Sequence, residues 1–204
     1  MILIVAAMKE EVSEILKIKS ETHDVLVTGV GKVNAAMKLT EYLSNHRVDR
    51  IINLGFAGGN MSYEVNDVVL INHAVYHDFD LTLFGYKKGQ VPGYPEVFTS
   101  DENMFKRINK KLDYAKQGSL YTGDYFMTTP VEQPAVFDME GASFYQVAHY
   151  FNVPMISIKL ISDVIGMKDH FKHYKAFEQT SGAHLLAKVF KDVLEVSYEG
   201  NHRI

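Results

Sequence analysis

Three carboxylates stand where acid–base chemistry is possible. Glu11 closes Met8-Lys9-Glu10-Glu11 just after the apolar run Ile2–Ala6. Glu140 lies in Phe137-Asp138-Met139-Glu140-Gly141-Ala142, ahead of a helical pattern. Asp163 follows the apolar run Met155–Ile161. Taken singly, an acid at the start of a helix is a cap or a partner for the helix dipole. Gathered in one pocket, such groups behave differently: burial and like charge raise the pKa of one member, leaving an acid and a base side by side at neutral pH.

Whether they meet depends on the elements that carry them. Ile2–Ala6, Val25–Thr28, Ile51–Leu54, Val68–Ile71 and Met155–Ile161 are rich in β-branched residues and apolar on both faces, as strands covered on both sides must be. Apolar residues at three- and four-residue spacing predict helices over Glu10–Leu16, Val33–Asn45, Asn103–Leu112, Gly141–Phe151 and Ser181–Val196. Strands alternating with helices imply an α/β fold with a mostly parallel sheet. Ligands of such sheets bind beyond the carboxyl ends of the strands. The acids collect there, with Gly29-Val30-Gly31-Lys32 and Gly55-Phe56-Ala57-Gly58-Gly59. Tyr76 to Ser100 lacks clear periodicity and is rich in Gly, Pro, Tyr and Phe, as binding or interface loops are.

Other chemistries fit less well. Gly29-Val30-Gly31-Lys32-Val33-Asn34 follows a strand and opens a helix, but Asn34 replaces the third glycine of a dinucleotide fingerprint, although Asp49 sits where a ribose-binding acid is expected. Nor is it a P-loop, because one residue separates the glycines and Val33 follows the lysine. The plainer reading is a tight strand-to-helix turn whose N–H groups face a ligand. His73 and His77 beside Asp78, and His170 and His173 beside Asp169, have no third metal ligand marked by spacing and fall outside amphipathic helical patterns, so structural or solvated histidines are expected and no metal. Lys168–Lys175 reads as a solvated loop or, from its place after Asp163, a lid.

The 204 residues carry a formal charge of −4 and no cysteine. That disfavours nucleic acid and anionic membranes as partners and excludes thiolate chemistry. Met1–Met8 lacks a basic leader and runs into Lys9-Glu10-Glu11, and no apolar run reaches the ~18 residues of a membrane span. A soluble cytoplasmic protein of one domain, residues 1–204, is expected.

In chain order, Ala6-Ala7-Met8-Lys9-Glu10-Glu11-Val12, Gly29-Val30-Gly31-Lys32-Val33-Asn34-Ala35-Ala36, Tyr76-His77-Asp78, Phe84-Gly85-Tyr86 with Gly89-Gln90-Val91-Pro92, Thr122-Gly123-Asp124, Met139-Glu140 and Ile161-Ser162-Asp163-Val164 resemble the successive motifs of the 5′-methylthioadenosine/S-adenosylhomocysteine nucleosidases, a branch of the nucleoside phosphorylase superfamily. The resemblance implies a three-layer α/β/α sandwich around a mixed, mostly parallel sheet, and a homodimer with a shared pocket. It implies a purine nucleoside as substrate and no cofactor. Asp163, positioned by Ser162, would protonate N7 of the purine, Glu11 would activate water, and Glu140 would bind the ribose hydroxyls while Met139 packs on the sugar. Phe126 would stack on the base and the Met127 backbone would bond its edge. Phe84, Tyr86 and Pro92 would reach across the dimer to the 5′ substituent. Met8, Phe56, Ala57 and Gly58 complete the implied binding set.

The chemistry agrees with that casting. Glycosidic cleavage develops a cationic sugar, so it needs an acid at the leaving group, a base for water and negative charge near the ribose. The phosphorylase branch of the resembled superfamily holds its phosphate with an arginine and a small hydroxyl near the third strand; Asn53 and Phe56 stand there in this chain, and an apolar ring is poor company for a buried phosphate dianion, so hydrolysis is expected.

The chain departs from the family pattern at several points. Phe56 replaces a serine, which should crowd or dry the water side. Lys159 replaces an arginine and loses a planar fork of donors. The hairpin at Lys17–Asp24 and the segment between Met127 and Asp138 are shortened. Phe56 also resembles the larger apolar residue of futalosine hydrolases, the alternative enzyme. A non-catalytic nucleoside-binding member of the fold is the third reading.

Overall fold

A computed structural model describes residues 1–18, 21–60, 62–179 and 181–199. One mixed sheet contains β1 (Ile2–Ala6), β2 (His23–Val27), β3 (Arg50–Gly59), β4 (Val68–Tyr76), β5 (Phe98–Thr99), β6 (Lys116–Thr122), β7 (Val136–Asp138) and β8 (Met155–Val164). The helices are α1 (Lys32–Asn45), α2 (Glu102–Lys111), α3 (Gly141–Phe151), α4 (His170–Gln179) and α5 (Gly182–Glu199).

β1 runs parallel to both β2 and β3, and β8 lies parallel to β3 and antiparallel to β4. β4 pairs in parallel with β6 and β6 with β7, while β7 returns antiparallel to β3. β3, β8, β4, β6 and β7 therefore close on one another in a ring, extended by β1 and β2 at one side and by antiparallel β5 at the other. Closure removes sheet edges that would otherwise need covering.

Period-two alternation sorts the strand residues between two cores. Ile2, Ile4, Ala6, Ile52 and Leu54 pack with Met104 and Ile108 of α2 and with Leu186 and Phe190 of α5. Leu3, Val5 and Ile51 pack with Ala35 and Leu39 of α1 and with Phe144 and Val147 of α3. Helices thus cover both faces of the sheet, and strands buried on both sides are apolar throughout.

Some expectations need correction. Glu10–Leu16 is not an α-helix but a run of turns ending in a 3-10 turn at Ile15–Lys17. Its helix-like spacing arises because Val12 and Ile15 are buried while Leu16 is exposed. Lys168–Lys175 is not a solvated loop: most of it belongs to α4, which buries Phe177. His170 and His173 are therefore helical, contrary to the expected irregular setting, and the His170 side chain lies outside the described residues. So do residues 19 and 20 of the shortened Lys17–Asp24 segment. The aperiodic stretch from Tyr76 begins with the last residue of β4, contains a 3-10 turn at Thr82–Phe84 and ends in β5. Among the described residues no helix is long and apolar enough to cross a membrane.

Candidate active site

β3 and β8 run longer than their apolar cores predict, so the acids and glycines expected after these strands lie within their last residues. Their register changes at the end: Ala57 pairs with Ile161 but Gly58 with Asp163, leaving Ser162 as the extra residue of a bulge. A bulge re-aims side chains. Here Ser162 and Asp163, neighbours that regular pleating would send to opposite faces, line the same cavity.

That cavity, about 90 Å³, is bordered by Met8, Glu11, Phe56, Ala57, Gly58, Phe126, Met139, Glu140, Ser162 and Asp163. Sequence reasoning missed Ala7, Val30, Asp138 and Tyr174, which also face it. Phe171, Tyr174 and Phe177, spaced by three, carried a helical signal that would have placed Tyr174 on the inward side of α4.

Glu11 is 3% exposed. Its Oε2 accepts the Met8 N–H and its Oε1 the Phe56 N–H, both at 2.8 Å. Burial raises its pKa, against the pull of Lys159 and these backbone donors. Glu140 sits at the N-cap of α3 but does not cap it. Its Oε1 instead accepts the Gly31 N–H at 2.8 Å, at the start of α1. Burial, then the neighbouring Asp138, pushes its carboxyl up to about 8, opposed by Gly31 and Lys159.

Gly31 has φ +94°, a left-handed conformation costly for other residues. Its N–H is taken by Glu140, and the next, of Lys32, by Asp124 Oδ1 at 2.8 Å. The turn's donors thus face the protein's own carboxylates rather than a pyrophosphate. Asp49, the candidate ribose acid of a dinucleotide site, contacts the N-terminal ammonium. The segment is the expected tight strand-to-helix turn, but the Gly31 and Lys32 N–H groups bind Glu140 and Asp124 instead of facing a ligand.

Asp163 is 1% exposed, and its Oδ1 lies 2.7 Å from Ser162 Oγ. Ser162 Oγ is also 3.2 Å from the Ala57 carbonyl; one hydroxyl proton serves the shorter contact. Beneath the acids lies a buried ion pair, Lys159 Nζ to Asp138 Oδ2 at 2.8 Å, its side chains 3% and 2% exposed. Thr122 Oγ1 and the Gly141 N–H also donate to Asp138. Burial alone would lower the Lys159 pKa, but Asp138, Glu11 and Glu140 raise it. Lys159 is thus the cation that several buried carboxyls share.

The Phe56 ring borders the cavity yet turns away from its centre, edge-on to Phe177 with centroids 5.2 Å apart. Its tip lies against Gly182, where a Cβ would come within 2.5 Å. The substitution is therefore absorbed by α4 and α5 packing. Asn53, at the other phosphate-site position, is buried in the sheet, its amide donating to the Val5 carbonyl and its Oδ1 accepting from Ser157.

Four predicted residues do not border the cavity within this chain. Met127 packs near Ala135, Phe137 and Ile165. Phe84 is 76% exposed, Pro92 is exposed and Tyr86 half-buried on the loop after β4. His73 and His77 lie four residues apart along an extended strand end, one bonded to Asn72 and the other edge-on to Tyr125 and Phe137.

The sequence pattern of the phosphorylase superfamily matches residues 15–195. A 5′-methylthioadenosine/S-adenosylhomocysteine nucleosidase from Geobacillus sp. is 35% identical, over 90% of this chain and 93% of its own. A Borrelia burgdorferi chain crystallised with adenine superposes with TM-score 0.88 at 32% identity, covering 96% of this chain and 100% of the other. The Streptococcus pneumoniae nucleosidase bound to 8-aminoadenine gives 0.85 at 28%, with 96% and 99% covered. A Helicobacter pylori futalosine hydrolase mutant, 22% identical, shares the fold with TM-score 0.85. With so much of its length matched at this identity, the chain belongs to the phosphorylase superfamily and, within it, to the 5′-methylthioadenosine/S-adenosylhomocysteine nucleosidase family.

Proposed function

We propose that the chain is a single catalytic domain that hydrolyses the N-glycosidic bond of 5′-methylthioadenosine, S-adenosylhomocysteine or 5′-deoxyadenosine, releasing adenine and the 5′-substituted ribose. One observation carries the reading: Glu11, Glu140 and Asp163, from three distant segments, meet in one buried cavity between apolar walls. Asp163 is the acid at the purine and Glu11 the base for water. Glu140, anchored to Gly31, offers its second oxygen to the ribose hydroxyls. Phe126, Met139 and Met8 supply the apolar contacts, and Ser162 steadies Asp163.

A cavity of about 90 Å³ is small beside the several hundred Å³ of ordinary ligand pockets. Substrate entry therefore requires α4 and the Phe126 segment to yield. Phe126 meets Phe171 and Tyr174 of α4 edge-on, and these are the contacts that must part.

We place the exposed Phe84 and Pro92 and the half-buried Tyr86 at a neighbouring subunit's pocket in a homodimer. Val33 and Met37 of α1, 74% and 53% exposed, border an apolar groove continued by Tyr76, Phe79 and Val91, a surface suited to a second copy. The absence of cysteine from the sequence suits a reducing cytoplasm.

The test is chromatography of the bases released from methylthioadenosine, S-adenosylhomocysteine, 5′-deoxyadenosine and futalosine, each with and without phosphate. Adenine without phosphate supports the reading. Hypoxanthine from futalosine alone would transfer it to futalosine hydrolysis, and tight nucleoside binding without product would indicate a binding protein.

A further inference from the structure

The fate of the attacking water is the least furnished part of this site. Glu11 can take one of its protons, but Phe56, next to it on the cavity border, has an apolar side chain that offers no hydrogen bond. Water held by one proton alone is free to swing, and orientation is a large part of what an enzyme contributes to a bimolecular step. The other polar side chain on this side is Tyr174, carried over the cavity by α4.

The Tyr174 hydroxyl lies 3.2 Å from Glu178 Oε1 and 3.6 Å from Met8 Sδ. It has one proton, and the carboxylate is the stronger acceptor. Glu178 is itself fixed, its other oxygen 2.9 Å from Lys175 Nζ. In that ion pair it offers acceptors only, so the tyrosine proton is committed outward, and the phenolic oxygen presents its lone pairs to the cavity. Met8 ties the two ends together: its sulfur touches the hydroxyl while its N–H binds Glu11 Oε2 at 2.8 Å. Burial and the charges of Glu178, Glu11 and Asp163 raise the Tyr174 pKa, so the group stays a neutral phenol and is no rival base.

Building on the nucleosidase reading, we infer that Tyr174 is a catalytic residue that holds the attacking water, its phenolic oxygen accepting a hydrogen bond from the O–H that Glu11 does not deprotonate. The step balances. The water oxygen bonds to C1′ as the C1′–N9 bond breaks, and that electron pair passes into the purine, which takes a proton from Asp163. One water proton goes to Glu11, and the other stays on the new C1′ hydroxyl, directed at Tyr174.

Methanol distinguishes this arrangement from a packing role, because its single proton is needed by Glu11 and its methyl group must then face Tyr174. The experiment compares wild type with Tyr174→Phe, which keeps the ring against Phe126, in buffer with added methanol. It follows adenine release, adenine binding and the ratio of methyl glycoside to free sugar. The expected result is a fall in kcat of about ten-fold, the size of one lost hydrogen bond. KM and adenine affinity stay unchanged, and the methyl glycoside share rises in the variant. An unchanged kcat and product ratio, or an effect confined to KM, overturns the assignment while leaving the nucleosidase reading intact. Wild type that releases no adenine overturns that reading, and this inference with it.

Discussion

Gly31 donates its backbone N–H to Glu140 at 2.8 Å across 109 positions of sequence, joining the start of α1 to the start of α3. This bond puts the anchor of the proposed sugar-binding carboxyl in the backbone, where a side-chain change cannot remove it but a change of conformation can.

Gly31→Ala places a Cβ on a residue with φ +94° and brings it within 3.4 Å of Asp124 Oδ1. A non-glycine residue held in an unfavourable backbone region costs about 1–3 kcal/mol. The expected outcome is a lower urea midpoint together with a raised KM, since relaxing φ at residue 31 re-aims the N–H that holds Glu140. A variant that loses stability but keeps KM would separate the turn from the sugar site.

Lys159→Met removes the cation from a group of buried carboxyls and leaves Asp138 unpaired beside Glu140. Stranding one member of a buried pair costs about 3–5 kcal/mol. Adding Asp138→Asn should restore much of the loss, because the amide oxygen can still accept one of the two donors, Thr122 Oγ1 or the Gly141 N–H. Urea unfolding of the single and double variants checks this, and additive losses would mean that the pair is uncoupled.

The buried acids also predict how stability varies with pH. The Glu140 pKa rises from 4.5 to about 8 on folding, chiefly by burial, and Glu11 shifts in the same direction. Between those limits the native state binds more protons than the unfolded chain, so stability falls as pH rises. Below 6.5 the buried His23 and His77, whose pKa values burial lowers, act in the opposite sense. Urea midpoints compared at about pH 7 and about pH 8.5 therefore isolate the carboxyls. The midpoint should drop across that interval, and Glu140→Gln should lessen the drop; an equal slope in both proteins would contradict the assignment.

The three acids were legible because each follows an apolar strand or precedes a helix, and the open-sheet rule sends such positions to one edge. β6 and β7 gave little signal. β6 opens with Lys116-Gln117-Gly118-Ser119, which are exposed or half-buried, and β7 has only three residues, too few for any period to register. The Ser162 bulge depends on pairing between β3 and β8, which no local pattern reports. Glu10–Leu16 misled because two buried residues, Val12 and Ile15, recur at helical spacing in a run of turns that Glu11 fastens to the backbone at Met8 and Phe56. Tyr174 was hidden by the lysines and histidines around it, although its helix turns it inward.

Adenine release from methylthioadenosine in phosphate-free buffer, followed for wild type and Asp163→Asn, tests the central claim most directly. Wild type should release adenine, and the variant should bind adenine yet turn over at least about 10²-fold more slowly, as expected for a lost general acid. Release that requires phosphate, or a variant as fast as wild type, would contradict the account.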